Sequence, residues 1–181
     1  SANLESLIRV AAPRLGDTLL RIPNGYPAGK FQPTSGDGGI LMVSRLIPLK
    51  GFQYFLEGLR GVRLDREVNI VGDGPMRREL EALAAATPTE VVFHGWLDND
   101  DPRLRQLFET CSIFVFPSEA ENFPTVLLEA MDAGMAIVTT NAKGCPEVVG
   151  EAGLTVPPRS PEALVEATRR LADDPSERQR L

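Results

Sequence analysis

The chain predicts an α/β fold, a Rossmann-like doubly wound parallel sheet in a single domain, and three observations carry that expectation. Short apolar runs of strand length alternate with runs of helical period, an order that requires crossovers and so a parallel sheet with helices on both faces. The runs at 40–43 (I-L-M-V) and 113–116 (I-F-V-F) are apolar throughout, as strands covered on both sides are. A length of 181 residues supports one substantial core.

Taken in order, residues 3–15 place Leu4, Leu7, Ile8, Ala11 and Leu15 at helical spacing, and 19–23 reads as a short strand. Asn24-Gly25 is a turn signal that opens a proline- and glycine-rich stretch through Gly39, either a connector or a backbone able to approach a ligand. Residues 40–43 form a buried strand and 51–59 a helix with Phe52, Phe55, Leu56 and Leu59 on one face. Then follow a strand at 67–71, a helix at 76–86, a strand at 91–93 and a helix at 102–110. The strand at 113–116 runs through a polar turn into a helix of strong helix formers ending near Gly134. Strands at 136–139 and 154–156 and a helix at 161–171 complete the chain.

Composition narrows the function. A net charge of −6, with the charges mixed along the chain, argues against nucleic acid as the main partner, since phosphate-backbone affinity comes from clustered Lys and Arg. No run reaches the length of a membrane span and no charged-then-apolar leader opens the sequence, so the expected compartment is the cytoplasm. Cys111 and Cys145 form no C-x-x-C and read as reduced structural thiols. His94 is the only histidine, which excludes zinc motifs built on two.

The residues able to carry chemistry gather where strands run into helices, the edge at which open sheets bind ligands. Arg45, one residue after Ser44, and Lys50 bracket the first such loop, S-R-L-I-P-L-K-G at 44–51. They suit a diphosphate, with solvated surface cations as the bland alternative. Gly72 and Gly74 in G-D-G-P let the backbone come close to a ligand, while Pro75 suits a first helical position. Arg77 stands where a dinucleotide fingerprint needs its third glycine, which argues against a nicotinamide cofactor. His94, Gly95 and Trp96 either contribute to a slot for a flat base, or Trp96 caps the core and His94 is a satisfied structural histidine. Asp98 to Asp101 include a D-x-D but directly precede Pro102 and a helix, so capping explains them without a metal.

The stretch 113–134 is the centre of the chain. Its helix starts with unpaired N–H groups at the ligand edge, and Glu129, four residues beyond Thr125, can share a cleft with Glu121 in the turn. A carboxylate on so apolar a helix needs a hydrogen-bonding partner, and vicinal hydroxyls of a ligand would supply one. The other reading makes Glu129 an ordinary exposed helical position. Residues 141–147, after the next strand, either lie over a ligand or form a plain connection.

Together these pieces resemble the C-terminal, donor-binding domain of a GT-B-fold glycosyltransferase, most similar to the large retaining family four. The resemblance rests on I-P-N-G at 22–25 with Phe31 and Pro33, S-R-L-x-x-x-K-G at 44–51, G-D-G-P at 72–75 and F-H-G at 93–95. It extends through P-S-x-x-E-N-F-P-x-V-L-L-E-A-M at 117–131 and G-x-P-E-V-V at 144–149, and the spacing of Glu121 and Glu129 is its most specific part. The resemblance implies that Arg45 and Lys50 hold the donor diphosphate and that Glu129 binds the ribose hydroxyls. It further implies that Glu121 meets the transferred sugar, that backbone amides at Asn122, Phe123 and Thr125, beside Pro124, meet sugar and phosphate, and that His94 and Gly95 face the base. The implied donor is a UDP-sugar, with GDP- and ADP-sugars as other candidates, and neither cofactor nor metal is implied. Ser44 stands where a glycine is usual, and Pro124 where many members have glycine. Family members are longer, so an N-terminal acceptor-binding domain is expected outside this chain, along with any peripheral membrane contact it makes, and the isolated domain is expected to be inactive. A non-catalytic nucleotide-sugar-binding module and a GT-B epimerase or phosphorylase are the alternative functions.

Overall fold

The computed structural model describes residues 2–20, 22, 24–33 and 38–181, and in it six strands form one all-parallel sheet. They are β1 (Ile40–Val43), β2 (Val68–Val71), β3 (Val91–Gly95), β4 (Ile113–Phe116), β5 (Ala136–Thr140) and β6 (Gly153–Val156), in the spatial order β3-β2-β1-β4-β5-β6. Ile40 is in register with Val68 on one side and Ile113 on the other, so the direction of winding reverses between β1 and β4. That reversal splays the following loops apart and leaves a crevice at the carboxyl ends of these two strands.

Two cores form because successive side chains of a strand point to opposite faces. Ile40, Met42, Val68, Ile70, Ile113 and Val115 pack against α2 (Phe52–Gly58), α3 (Arg77–Ala85) and α7 (Pro161–Asp173). Leu41, Val71, Phe114, Phe116 and Ile137 pack against α4 (Pro102–Thr110), α5 (Thr125–Asp132) and α6 (Cys145–Val149). Each large apolar side chain withdrawn from water contributes about 1.5–3 kcal/mol. The second core contains a row of stacked rings, Phe31 on Phe108 at 4.6 Å, Phe108 on Phe114 at 6.0 Å and Phe114 on Phe116 at 6.4 Å between centroids. The row ends beneath the crevice, where the Lys50 ammonium lies 5.6 Å from the centre of the Phe116 ring. Both cysteines are free and buried, and burial pushes the Cys111 thiol up to about 12 and that of Cys145 upward as well.

Several boundaries differ from the sequence expectation. The first helix, α1 (Ala2–Ala11), stops short of residue 15 because Pro13 has no N–H to continue it, and a 3-10 turn, Pro13–Thr18, follows. The strand expected at 19–23 is not formed by its described residues. Leu20 and Ile22 are 81% and 76% exposed and have no neighbouring strand to pair with, while Arg21 and Pro23 lie outside the described residues. Residues 34–37 of the proline- and glycine-rich stretch also lie outside them. Two short helices, α6 and α8 (Pro175–Arg180), were not anticipated.

Candidate functional site

At the β1–β4 crevice lies a cleft of about 340 Å³, within the range of small-molecule sites. Its cations come from the first βα loop. Leaving β1, Ser44 donates its N–H to the Val71 carbonyl, and Arg45 then stands exposed at the rim. The Arg45 guanidinium makes no hydrogen bond or ion pair with a described residue. The 3-10 turn Pro48–Lys50 and Gly51, at φ +72°, swing Lys50 inward. Its ammonium donates to Glu121 Oε1 at 2.5 Å, with both side chains mostly buried.

The carboxylates come from the other side of the crevice. Beyond β4 the chain passes Ser118, whose hydroxyl donates to the Leu49 carbonyl at 3.2 Å and ties the two loops together. Glu121 donates its N–H to the Lys143 carbonyl, and Gly144, at φ +96°, lies so close that a Cβ there would sit 2.5 Å from the Glu121 carbonyl oxygen. The loop at 141–144 therefore braces the turn, while residues 145–147 of the expected loop instead open the short helix α6. Helix α5 begins after Pro124 with no side-chain cap, leaving its first N–H groups directed at the cleft end. One turn on, Glu129 lines the same cleft as Thr125, and Lys30 donates to its Oε1 at 3.1 Å.

Of the residues singled out from the sequence, Ser44, Arg45, Lys50 and Gly72 line the cleft from the β1 side. Glu121, Phe123, Pro124, Thr125 and Glu129 line it from the β4 side. Gly74, His94, Gly95 and Asn122 do not line it. Gly74 packs on the Leu46 carbonyl, and Gly95 accepts the Gly72 N–H at 2.8 Å, so both shape loops around the cleft. His94 meets Asn69, with its Nε2 2.6 Å from Asn69 Oδ1, and is a satisfied structural histidine in this arrangement. The neighbouring Trp96 does not cap the core. It is 63% exposed, donates its indole N–H to Asp98 Oδ1 at 3.0 Å and lines the cleft along with Leu97 and Asn99.

Asp101 caps α4, its carboxylate accepting the Arg103 N–H at 2.8 Å and pairing with the Arg103 guanidinium. Those contacts hold its carboxyl below the ordinary carboxylate range. Among the described residues no group of three or more His, Cys, Asp or Glu side chains could hold a metal.

Lys30 and Asp132 were not read from the sequence. The only signal for Lys30 is its position before Phe31, a residue the family pattern marks, and loop residues carry no periodicity from which a contact 99 positions away can be inferred.

The family model for glycosyl transferases group 1 matches residues 37–174. The chain belongs to the group 1 glycosyltransferases. Among its relatives, the sulfoquinovosyl transferase SQD2 of Arabidopsis thaliana is 31% identical over 164 residues, covering 86% of this chain and 29% of that protein. The MMP α-(1→4)-mannosyltransferase of Mycolicibacterium hassiacum is 30% identical over 172 residues, covering 88% of this chain and 41% of that one. This group 1 chain thus spans well under half the length of these curated relatives. The C-terminal domain of a group 1 glycosyltransferase from Francisella tularensis is similar in structure, at a TM-score of 0.68 and 26% identity over 85% of this chain and 88% of that one. The Anabaena protein HepE, solved in complex with UDP-glucose, gives a TM-score of 0.61 and 26% identity over 78% and 42% of the two chains. The fold is accordingly that of the C-terminal domain of a GT-B glycosyltransferase. Among the described residues no helix is long and apolar enough to cross a membrane.

Proposed function

We propose that this chain is the donor-binding part of a retaining hexosyltransferase that uses a nucleoside-diphosphate sugar, with the acceptor held by residues outside the chain. The observation that carries the proposal is the meeting of Arg45, Lys50, Glu121 and Glu129 around one cleft at the amino end of α5. Arg45 and Lys50, with the first amides of α5, bind the diphosphate, and Glu129 accepts the ribose hydroxyls. Glu121 meets the hexose. A UDP-sugar is the favoured donor because HepE carries UDP-glucose in a related structure. Trp96, exposed beside the cleft, offers a flat apolar face to the base.

In the transfer, the bond between the anomeric carbon and the diphosphate oxygen breaks with its electron pair leaving on the phosphate, and the acceptor oxygen bonds to carbon as its proton passes to the departing diphosphate oxygen. Negative charge grows on the diphosphate and positive charge on the sugar. Arg45, Lys50 and the α5 amides stabilise the first and Glu121 the second. Loss of one such preorganised contact costs about 3 kcal/mol, on the order of a hundredfold in rate. Titration of the chain with UDP, GDP and ADP by calorimetry tests the binding half of this reading. Saturable heat with at least one of them is expected, and no heat with any at millimolar ligand would contradict it.

A further inference from the structure

Glu129 is held by a device that the donor reading does not by itself require. The stretch of residues 26–31 is fastened to the last turn of α5 by one side chain. Asp132 accepts the Gly29 N–H on Oδ1 at 2.6 Å. Its Oδ2 accepts the N–H groups of Lys30 at 2.8 Å and Phe31 at 3.2 Å and the Tyr26 hydroxyl at 3.2 Å. Phe31 is buried and stacked on Phe108, so the backbone of Lys30 is fixed on both sides. From there the Lys30 side chain turns back over the Phe31 ring, its ammonium 4.9 Å from the ring centre, and reaches Glu129 Oε1. Glu129 and Asp132 are three residues apart and share a helix face, so α5 receives the backbone of Lys30 at one position and its ammonium at the other.

Two features distinguish this contact from an ordinary surface pair. First, Glu129 lines the cleft and Lys30 does not, so the ammonium grips the carboxylate from behind. Second, only Oε1 is engaged, and Oε2 makes no hydrogen bond with a described residue. A partly exposed ion pair contributes modestly to folding, whereas a carboxylate fixed in one rotamer can accept two vicinal hydroxyls without first being ordered. Resting on the donor-binding reading, we infer that Lys30 is a positioning residue for Glu129, and that through this grip the chain selects ribonucleotides over 2′-deoxyribonucleotides.

The test uses calorimetric titration of the 181-residue chain and its variants Lys30→Met, Lys30→Gln, Lys30→Arg, Glu129→Gln and the double variant Lys30→Met/Glu129→Gln. The ligands are whichever of UDP, GDP and ADP the parent chain binds tightest, its 2′-deoxy counterpart and inorganic pyrophosphate. The parent chain prefers the ribonucleotide by about tenfold, the worth of one hydrogen bond to a charged group. Lys30→Met and Lys30→Gln each lose most of that preference and leave pyrophosphate affinity unchanged, and Lys30→Arg retains it. The double variant binds the ribonucleotide no more weakly than Glu129→Gln alone, because the two residues act as one unit. An unchanged ribose preference in both charge-removing variants overturns the inference. So does an equal loss of pyrophosphate, which would make Lys30 a direct phosphate ligand. If Glu129→Gln abolishes the preference while the Lys30 variants keep it, the donor-binding reading stands and only the role of Lys30 falls. If the parent chain binds no nucleoside diphosphate, both fall.

Discussion

Lys50 and Glu121 show what a single pair of residues decides in this cleft. Their charges meet at 2.5 Å with side chains only 15% and 13% exposed, so each would be costly to leave alone. If Lys50 binds the diphosphate as proposed, Lys50→Met removes that ligand and at the same time strands Glu121 without its cation. The expected loss in affinity is about 2 kcal/mol, roughly thirtyfold, and it applies equally to a nucleoside diphosphate and to inorganic pyrophosphate, because the ammonium addresses the phosphates they share. Titration of both ligands against the variant checks this, and a loss confined to the nucleoside diphosphate would contradict it. The sequence made Lys50 and Glu121 legible one by one, since each follows a strand that could be recognised. Their pairing was not legible, because 71 positions separate them and no local pattern encodes that contact. His94 falls at the register shift between β2 and β3, where Ile70 faces Phe93 and Val71 faces Gly95, and its ring meets Asn69, while Trp96, beyond the end of the strand, lines the cleft.

At the scale of elements, the strap at residues 26–31 has a stability that depends on pH. The Gly29 N–H first, then those of Phe31 and Lys30 and the Tyr26 hydroxyl, hold the Asp132 carboxyl below the ordinary carboxylate range, against the opposing effect of partial burial. A carboxyl lowered on folding contributes stability that is fully present above its ordinary value and is lost as pH falls through the lowered native value. The strap is therefore expected to stay fastened at neutral pH and to loosen only in acid, and Asp132→Asn should release it at neutral pH as well. Hydrogen exchange checks this. The amides of Gly29, Lys30 and Phe31 should exchange faster in the variant while those in β4 and β5 keep their protection, and unchanged protection at the three loop amides would contradict it. The strands and the longer helices were legible because apolar runs and helical periods persist over enough residues to be counted, and β1 and β4 fall at the expected residues. The strap was not legible, because a carboxylate on a helix gathering three distant N–H groups leaves no periodic trace. Nor were α6 and α8, each under two turns long and so too short for a helical period to be counted.

At the scale of the whole molecule, the strand order β3-β2-β1-β4-β5-β6 is what makes a site from residues scattered between positions 30 and 129. β1 delivers the cations and β4 delivers the carboxylates because these two strands are neighbours whose following helices lie on opposite faces, α2 in one core and α5 in the other. The parallel, doubly wound character followed from the alternation of strands and helices, and the crevice from the general behaviour of such sheets. What alternation alone could not supply was the spatial order of the strands, on which the meeting of Lys50 and Glu121 depends. The central claim is that diphosphate and ribose are recognised separately at this crevice, the first by Arg45 and Lys50 and the second by Glu129. Calorimetric titration of Glu129→Ala with a nucleoside diphosphate and with inorganic pyrophosphate tests it most directly. The account predicts that the nucleoside diphosphate binds more weakly by about 2 kcal/mol, roughly thirtyfold, while pyrophosphate binds as tightly as to the parent chain. An equal loss for both ligands, or no loss for either, would contradict it.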